Sequence, residues 1–170
     1  MLIIELPGGC YFEELRFKLV SILTGEETNE NVVFDESFRF VERIDSGGWF
    51  NIYPMTIRRY ITKYSKPGQD DKIYELFMAN MLQEFGEVRP GTNVETLSWT
   101  SRKLLSLWVT FSWTDKIVFD LLAIDPVGGN HIYNLVKRRV AESGAAVLID
   151  YVEDDFKDNP SQRVRYRELV

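Results

Sequence analysis

The sequence predicts an α/β fold: a mostly parallel sheet with helices on both faces. Three observations lead there. Short aliphatic and β-branched runs alternate with longer stretches of helical periodicity. One run, Lys116–Asp120, is continuously apolar between its charged ends, at Ile117-Val118-Phe119, as in strands buried on both faces. Finally, 170 residues, 45% of them hydrophobic, suffice for one well-buried core and hardly for two.

Leu2-Ile3-Ile4-Glu5-Leu6 reads as a strand that stops at Pro7-Gly8-Gly9. From Phe12 to Leu23 the residues Leu15, Leu19, Ile22 and Leu23 recur at helical spacing. Val32-Val33-Phe34 and Phe38-Arg39-Phe40-Val41 are strand-like and split by Asp35-Glu36-Ser37. Thr56 is a good N-cap for a helix through Tyr64, which Pro67-Gly68 ends. Gln69-Asp70-Asp71 opens another helix to about Phe85, closed by Gly86, and Ser98 caps a helix from Trp99 to Ser112. The strand at 116–120, a helix from Gly129 to Ser143 and the strand 145–149 form a further β-α-β unit. Residues 159–170 offer a last strand or a tail. No repeat or linker interrupts this order, so the expectation is a single domain over 1–170.

Composition removes several function classes. A net charge of −6 and a pI near 4.9 argue against a nucleic-acid surface, which needs clustered Lys and Arg. No apolar run approaches the roughly 20 residues that span a bilayer, and no secretion-type leader opens the chain. The expected location is the cytoplasm, with membrane contact only through a partner. Cys10 and His131 are each alone, which excludes a cysteine-built zinc site and most two-histidine sites. A Ser/His/Asp constellation finds no support either. Glu13/Glu14, Glu26/Glu27 and Asp154/Asp155 are adjacent carboxylates that do not face each other on a helix, and Trp108, Phe111 and Trp113 read as packing residues.

The order of elements resembles the ATP-binding subunit of ABC transporters, a P-loop NTPase fold. Thr96-Leu97-Ser98 followed by Arg102 and Lys103 resembles the signature turn and its helix, and the strand ending at Asp120 resembles the one that carries the metal-binding aspartate. Ile124-Asp125-Pro126 is similar to the turn beyond it, which places Asp125 at the D-loop position. Residues 53–60 resemble the entry to the family's helical subdomain, here expected as an insert at about 53–95.

The resemblance also implies that the chemistry is lost. A phosphate loop needs glycines, a lysine and a hydroxyl. Aligned from Pro7, with Gly8 and Gly9 following, the lysine position falls on Phe12 and the hydroxyl positions on Glu13 and Glu14. Two carboxylates suit a helix N-terminus but repel a triphosphate. The signature glycines are replaced in Leu97-Ser98-Trp99, where Trp99 would obstruct a nucleotide. Leu121 stands for the water-polarising glutamate after Asp120, the glutamine position falls on Arg43, and the switch histidine on Tyr151 or Val152. Asp120 is therefore expected to cap its strand or bond nearby backbone rather than hold magnesium.

These expectations add up to a catalytically inactive, pseudo-ATPase relative that regulates or completes a transporter assembly, without catalytic residues, cofactor or metal. The implied partners are an ABC permease, an intact ATP-binding subunit, or a second subunit in a homo- or heterodimer. Tyr53, Met55 and Tyr60, at the start of the helical segment, are the candidate partner-binding residues. The alternative is a free-standing cytosolic interaction module on the same fold.

Overall fold

Period-two burial along a strand shows which faces of a sheet are covered. In β1 (Leu2–Leu6), Leu6 faces a cluster with Phe12, Leu23, Val118, Val147 and Ile149, while Ile3 points to the opposite face and is equally buried. A computed structural model of the chain describes residues 1–28, 37–44, 54–84, 89, 91–142, 144–151 and 162–165. Its strands β1, β2 (Arg39–Phe40), β3 (Lys116–Phe119), β4 (Ala145–Tyr151) and β5 (Gln162–Arg165) form one sheet in the order β2-β3-β4-β1-β5. Every pairing is parallel, with Ile3 opposite Leu148 and Val118 opposite Val147.

Parallel neighbours require crossovers, and two helices of this unit lie between its strands. Helix α1 (Phe12–Thr24) covers the Leu6–Val118–Val147 face. It ends at Gly25, whose left-handed φ of 79° lets its N–H reach the Ile22 carbonyl at 3.1 Å. The helix expected from Gly129 begins three residues earlier. Helix α5 is Pro126–Glu142, because Asp125 supplies the cap that the periodicity alone does not reveal. Its Oδ1 accepts from the Gly128 N–H at 2.9 Å and its carbonyl from the Gly129 N–H at 2.8 Å, with proline at the first helical position. α5 packs against β4 and buries Ile132, Tyr133 and Val136. β4 itself runs two residues beyond the expected end, to Tyr151. The strand expected at 32–34 lies outside the described residues.

The chain divides into two compact units, one of Met1–Val41 with Asp115–Val170 and one of Glu42–Thr114. The second is helical: α2 (Ile57–Tyr64), α3 (Asp70–Glu84), a 3₁₀ turn at Val94–Thr96 and α4 (Trp99–Phe111). Thr56 caps α2 by accepting from the Arg59 N–H at 3.3 Å, and Ser98 caps α4 by accepting from the Ser101 N–H at 3.2 Å. Both caps are legible in the sequence. α4 is buried along nearly its whole length, including the polar residues Thr100, Ser101, Lys103, Ser106 and Thr110, and packs against α2 and α3, whose Ile61 and Phe77 are fully buried like its own Leu104 and Leu107.

Candidate functional site: the carboxyl ends of β1 and β3

In open parallel sheets, ligands bind beyond the carboxyl ends of the strands. Here β4 separates β1 from β3, and the loop after β1 leads into α1. Pro7, Gly8 and Gly9 are exposed, and Gly9, with φ 97°, closes a turn in which the Phe12 N–H donates to its carbonyl at 3.2 Å. Phe12, at the lysine position of the resemblance, is 1% exposed and belongs to the sheet core. Its side chain is therefore turned away from the place where a phosphate would sit.

One helical turn beyond Phe12, on the same face of α1, stands Arg16. Its Nη1 donates to Asp120 Oδ2 at 2.9 Å, across 104 residues of sequence. Its Nε and Nη2 donate to Glu13 Oε2 at 3.1 and 2.7 Å. The Arg16 and Asp120 side chains are 11% and 8% exposed. The guanidinium also lies over the Phe17 ring, 4.4 Å from its centroid. Beyond the strand-capping or backbone role expected from the sequence, Asp120 has a side-chain partner. It is one pole of a buried ion pair. Glu13 joins the pair from the first turn of α1, and Glu14 is exposed beside it.

The three groups Glu13, Arg16 and Asp120 sum to a charge of −1 when ionised. One cation already serves two carboxylates, which leaves little attraction for a polyphosphate. After Asp120 the chain turns sharply: Ala123 has φ 60°, and the Ile124 N–H donates to the Leu121 carbonyl at 3.1 Å. Leu121 is buried and Asp125 is committed to capping α5. Tyr151 closes β4, and Val152 lies outside the described residues.

In the helical unit, Leu97 is buried at the turn before α4, and its carbonyl accepts from Arg102 Nε at 3.1 Å. Trp99, in the first turn of α4, has two guanidinium groups near its ring, Arg43 at 4.2 Å and Arg102 at 4.6 Å from the centroid. Cation–π contacts of this kind hold the indole in place. Of the candidate partner residues, Met55 is half-buried and its carbonyl accepts from the Val94 N–H at 2.8 Å. Tyr60 is half-buried, with its ring 4.7 Å from that of Tyr64. Burial pushes its hydroxyl up to about 12, with Glu42 and Tyr64 adding and the bond to Ser106 opposing. Tyr53 lies outside the described residues. No cluster of three or more His, Cys, Asp or Glu suited to a metal occurs among the described residues.

The residue that sequence reasoning missed is Arg16. Its i, i+3 relation to Glu13 signals only a helix-surface pair; nothing local points to Asp120.

No family model and no curated protein sequence matches the chain. Solved structures do. An ABC transporter of metal-chelate type in an inward-facing conformation superposes with a TM-score of 0.62 at 15% identity, over 88% of this chain and 61% of that one. An ATP-binding subunit of an ABC transporter gives 0.59 at 13% identity, over 89% and 68%. The CbiO1 subunit of the CbiONQ transporter complex of Clostridium perfringens gives 0.52 at 14% identity, over 88% and 66%. The chain spans about three fifths of the length of the first of these. At such identities the likeness is one of fold, and the fold is ABC ATPase-like: a parallel sheet with its covering helices.

Proposed function

We propose that the chain is a non-hydrolysing, ABC ATPase-like subunit that regulates or completes a membrane transporter assembly. The observation that carries this reading is the buried Arg16–Asp120 pair. Magnesium takes oxygen ligands at about 2.0–2.1 Å in near-octahedral geometry. A guanidinium nitrogen 2.9 Å from Asp120 Oδ2 stands where such an ion would approach that oxygen. Glu13, bonded to the same guanidinium, places a carboxylate at the N-terminal turn of α1, where an incoming phosphate would otherwise find bare N–H groups.

Other positions support the same conclusion. Phe12 gives its side chain to the core, Leu121 offers no base, and Trp99 brings an indole to the first turn of α4. The partner side of the proposal draws on the fold, since three of the similar structures belong to transporters, although a ribosome-bound Pelota–ABCE1 complex and an RNase-L inhibitor share the fold too. Among the described residues no helix is long and apolar enough to cross a membrane. In this reading the chain works at the inner face of the membrane through a permease or an intact ATP-binding subunit, and Tyr53, Met55 and Tyr60 lie at its docking face.

Titration calorimetry with Mg-ATP tests the site. No binding heat is expected up to about 1 mM, and a micromolar dissociation constant, near −8 kcal/mol, would overturn the reading. Affinity purification from native membranes tests the role. Recovery of a permease or an intact ATPase supports it, whereas soluble partners alone favour a free-standing interaction module.

A further inference from the structure

Helix α2 is basic in an acidic chain. It carries Arg58, Arg59 and Lys63 without a carboxylate, and Lys66 follows it, whereas the whole sequence has a net charge of −6. Arg58 is neutralised by Asp71 and, at 3.8 Å, by Asp70. Arg59, Lys63 and Lys66 are exposed and have no acidic partner among the described residues. Arg59 and Lys63 are one turn apart and so share a face. Beyond Lys63, the end of α2, the Pro67-Gly68 turn and Trp113 enclose an open cavity of about 460 Å³, with Lys63, Lys66 and Asp70 on its wall; the Asp70 carboxylate is 3.8 Å from Arg58, so the two lysines are the charges left to a ligand.

The cavity is held in shape by hydrogen bonds to the end of α4. The Lys66 N–H donates to Ser112 Oγ at 2.9 Å, and that hydroxyl donates to the Val109 carbonyl at 2.6 Å. Trp113 Nε1 donates to the Tyr64 carbonyl at 2.9 Å. The indole N–H is thereby used internally, so the carbon atoms of its ring are what Trp113 offers to a ligand. Trp113 and Tyr64 are 42% and 41% exposed. Two aromatic rings fixed beside two lysines make a surface whose ordering cost is met before anything binds.

We propose that this surface docks an acidic peptide segment of a partner protein, with one apolar side chain in the cavity against Trp113 and flanking carboxylates on Lys63 and Lys66. Charge complementarity selects the class of ligand, and three other features select a peptide. The site is concave, which suits a side chain and not the plane of a bilayer. Three exposed cations fall short of the roughly four to eight that anionic membranes recruit. A nucleic acid needs a longer cationic track and would be repelled by the chain as a whole. The proposal is independent of whether the carboxyl end of the sheet binds nucleotide.

The test is selection of a phage-displayed random dodecapeptide library on the whole chain, followed by fluorescence anisotropy of the best peptide carrying fluorescein. Enriched peptides should bear two or more Asp or Glu around an aliphatic or aromatic residue. The Lys63→Glu/Lys66→Glu variant should bind at least about tenfold more weakly, since each exposed pair is both lost and reversed in sign. Affinity of the unaltered chain should fall as salt shortens the screening length. Trp113→Ser should weaken binding of the same peptide, with circular dichroism confirming that each variant is folded. Failure to enrich any peptide, enrichment without acidic residues, or affinity unchanged by the double charge reversal would each overturn the proposal. Co-sedimentation with phosphatidylserine vesicles, lost in the double variant while no acidic peptide is recovered, would replace it with a membrane surface.

Discussion

Arg16 and Asp120 have each given up most of their hydration, a loss of several kcal/mol per ion that their mutual attraction must offset. Such a pair adds little net stability, yet removing one member leaves the other charged in a poor solvent. Arg16→Met should therefore destabilise the chain by about 3–5 kcal/mol, read from urea denaturation. The double variant Arg16→Met/Asp120→Leu removes both charges and should recover most of that loss. A double variant as unstable as the single one would mean that Arg16 acts through packing against Phe17 and Phe40 and not through Asp120.

Between elements, the joint ahead of β4 leaves no room for a side chain at its glycine. Gly144 has φ 142°, and a Cβ there would lie 2.4 Å from the Asp115 carbonyl oxygen, the acceptor of the Ala145 N–H at 3.0 Å. Asp115 cannot easily retreat, since Arg139 holds its carboxylate at 3.0 Å from α5. Gly144→Ala should cost about 1–3 kcal/mol through backbone strain and displacement of β3 from β4, measurable as a lower Tm. In the helical unit, Tyr60 gives a pH signature. Its hydroxyl titrates near 12 in the folded chain against 10.0 ordinarily, chiefly because of burial. The folded state thus holds this proton more tightly than the unfolded state, and stability is lost as pH rises from 10 to 12, by at most about 1.4 kcal/mol per pH unit. Tyr60→Phe should flatten that alkaline decline relative to the unaltered chain. An unchanged slope would place the tyrosine in water.

For the whole molecule, ligand binding is read as stability. A ligand present at a thousand times its dissociation constant raises unfolding free energy by about 4 kcal/mol. If the carboxyl end of the sheet rejects nucleotide, about 1 mM Mg-ATP should leave Tm where it was; a rise of several degrees would indicate an occupied site. Because the chain folds as two compact units, the scan should be followed with probes in each, such as Trp113 for the helical unit.

Element order, most strand and helix positions and the caps Thr56 and Ser98 were legible in the sequence, because hydrophobic period and capping chemistry act over a few residues. The parallel character of the sheet was legible too, in the uninterrupted apolar run that only a strand covered on both faces requires. The start of α5 was missed because the glycines at 128 and 129 obscure the period, although Asp125-Pro126 carried the signal. Where Phe12 points and what holds Asp120 were decided only by the tertiary structure. They depend on how α1 crosses the sheet and on the strand order that brings the end of β3 beneath Arg16. That is a contact across 104 residues, and no local propensity encodes it, because its partners meet only after the crossover has closed.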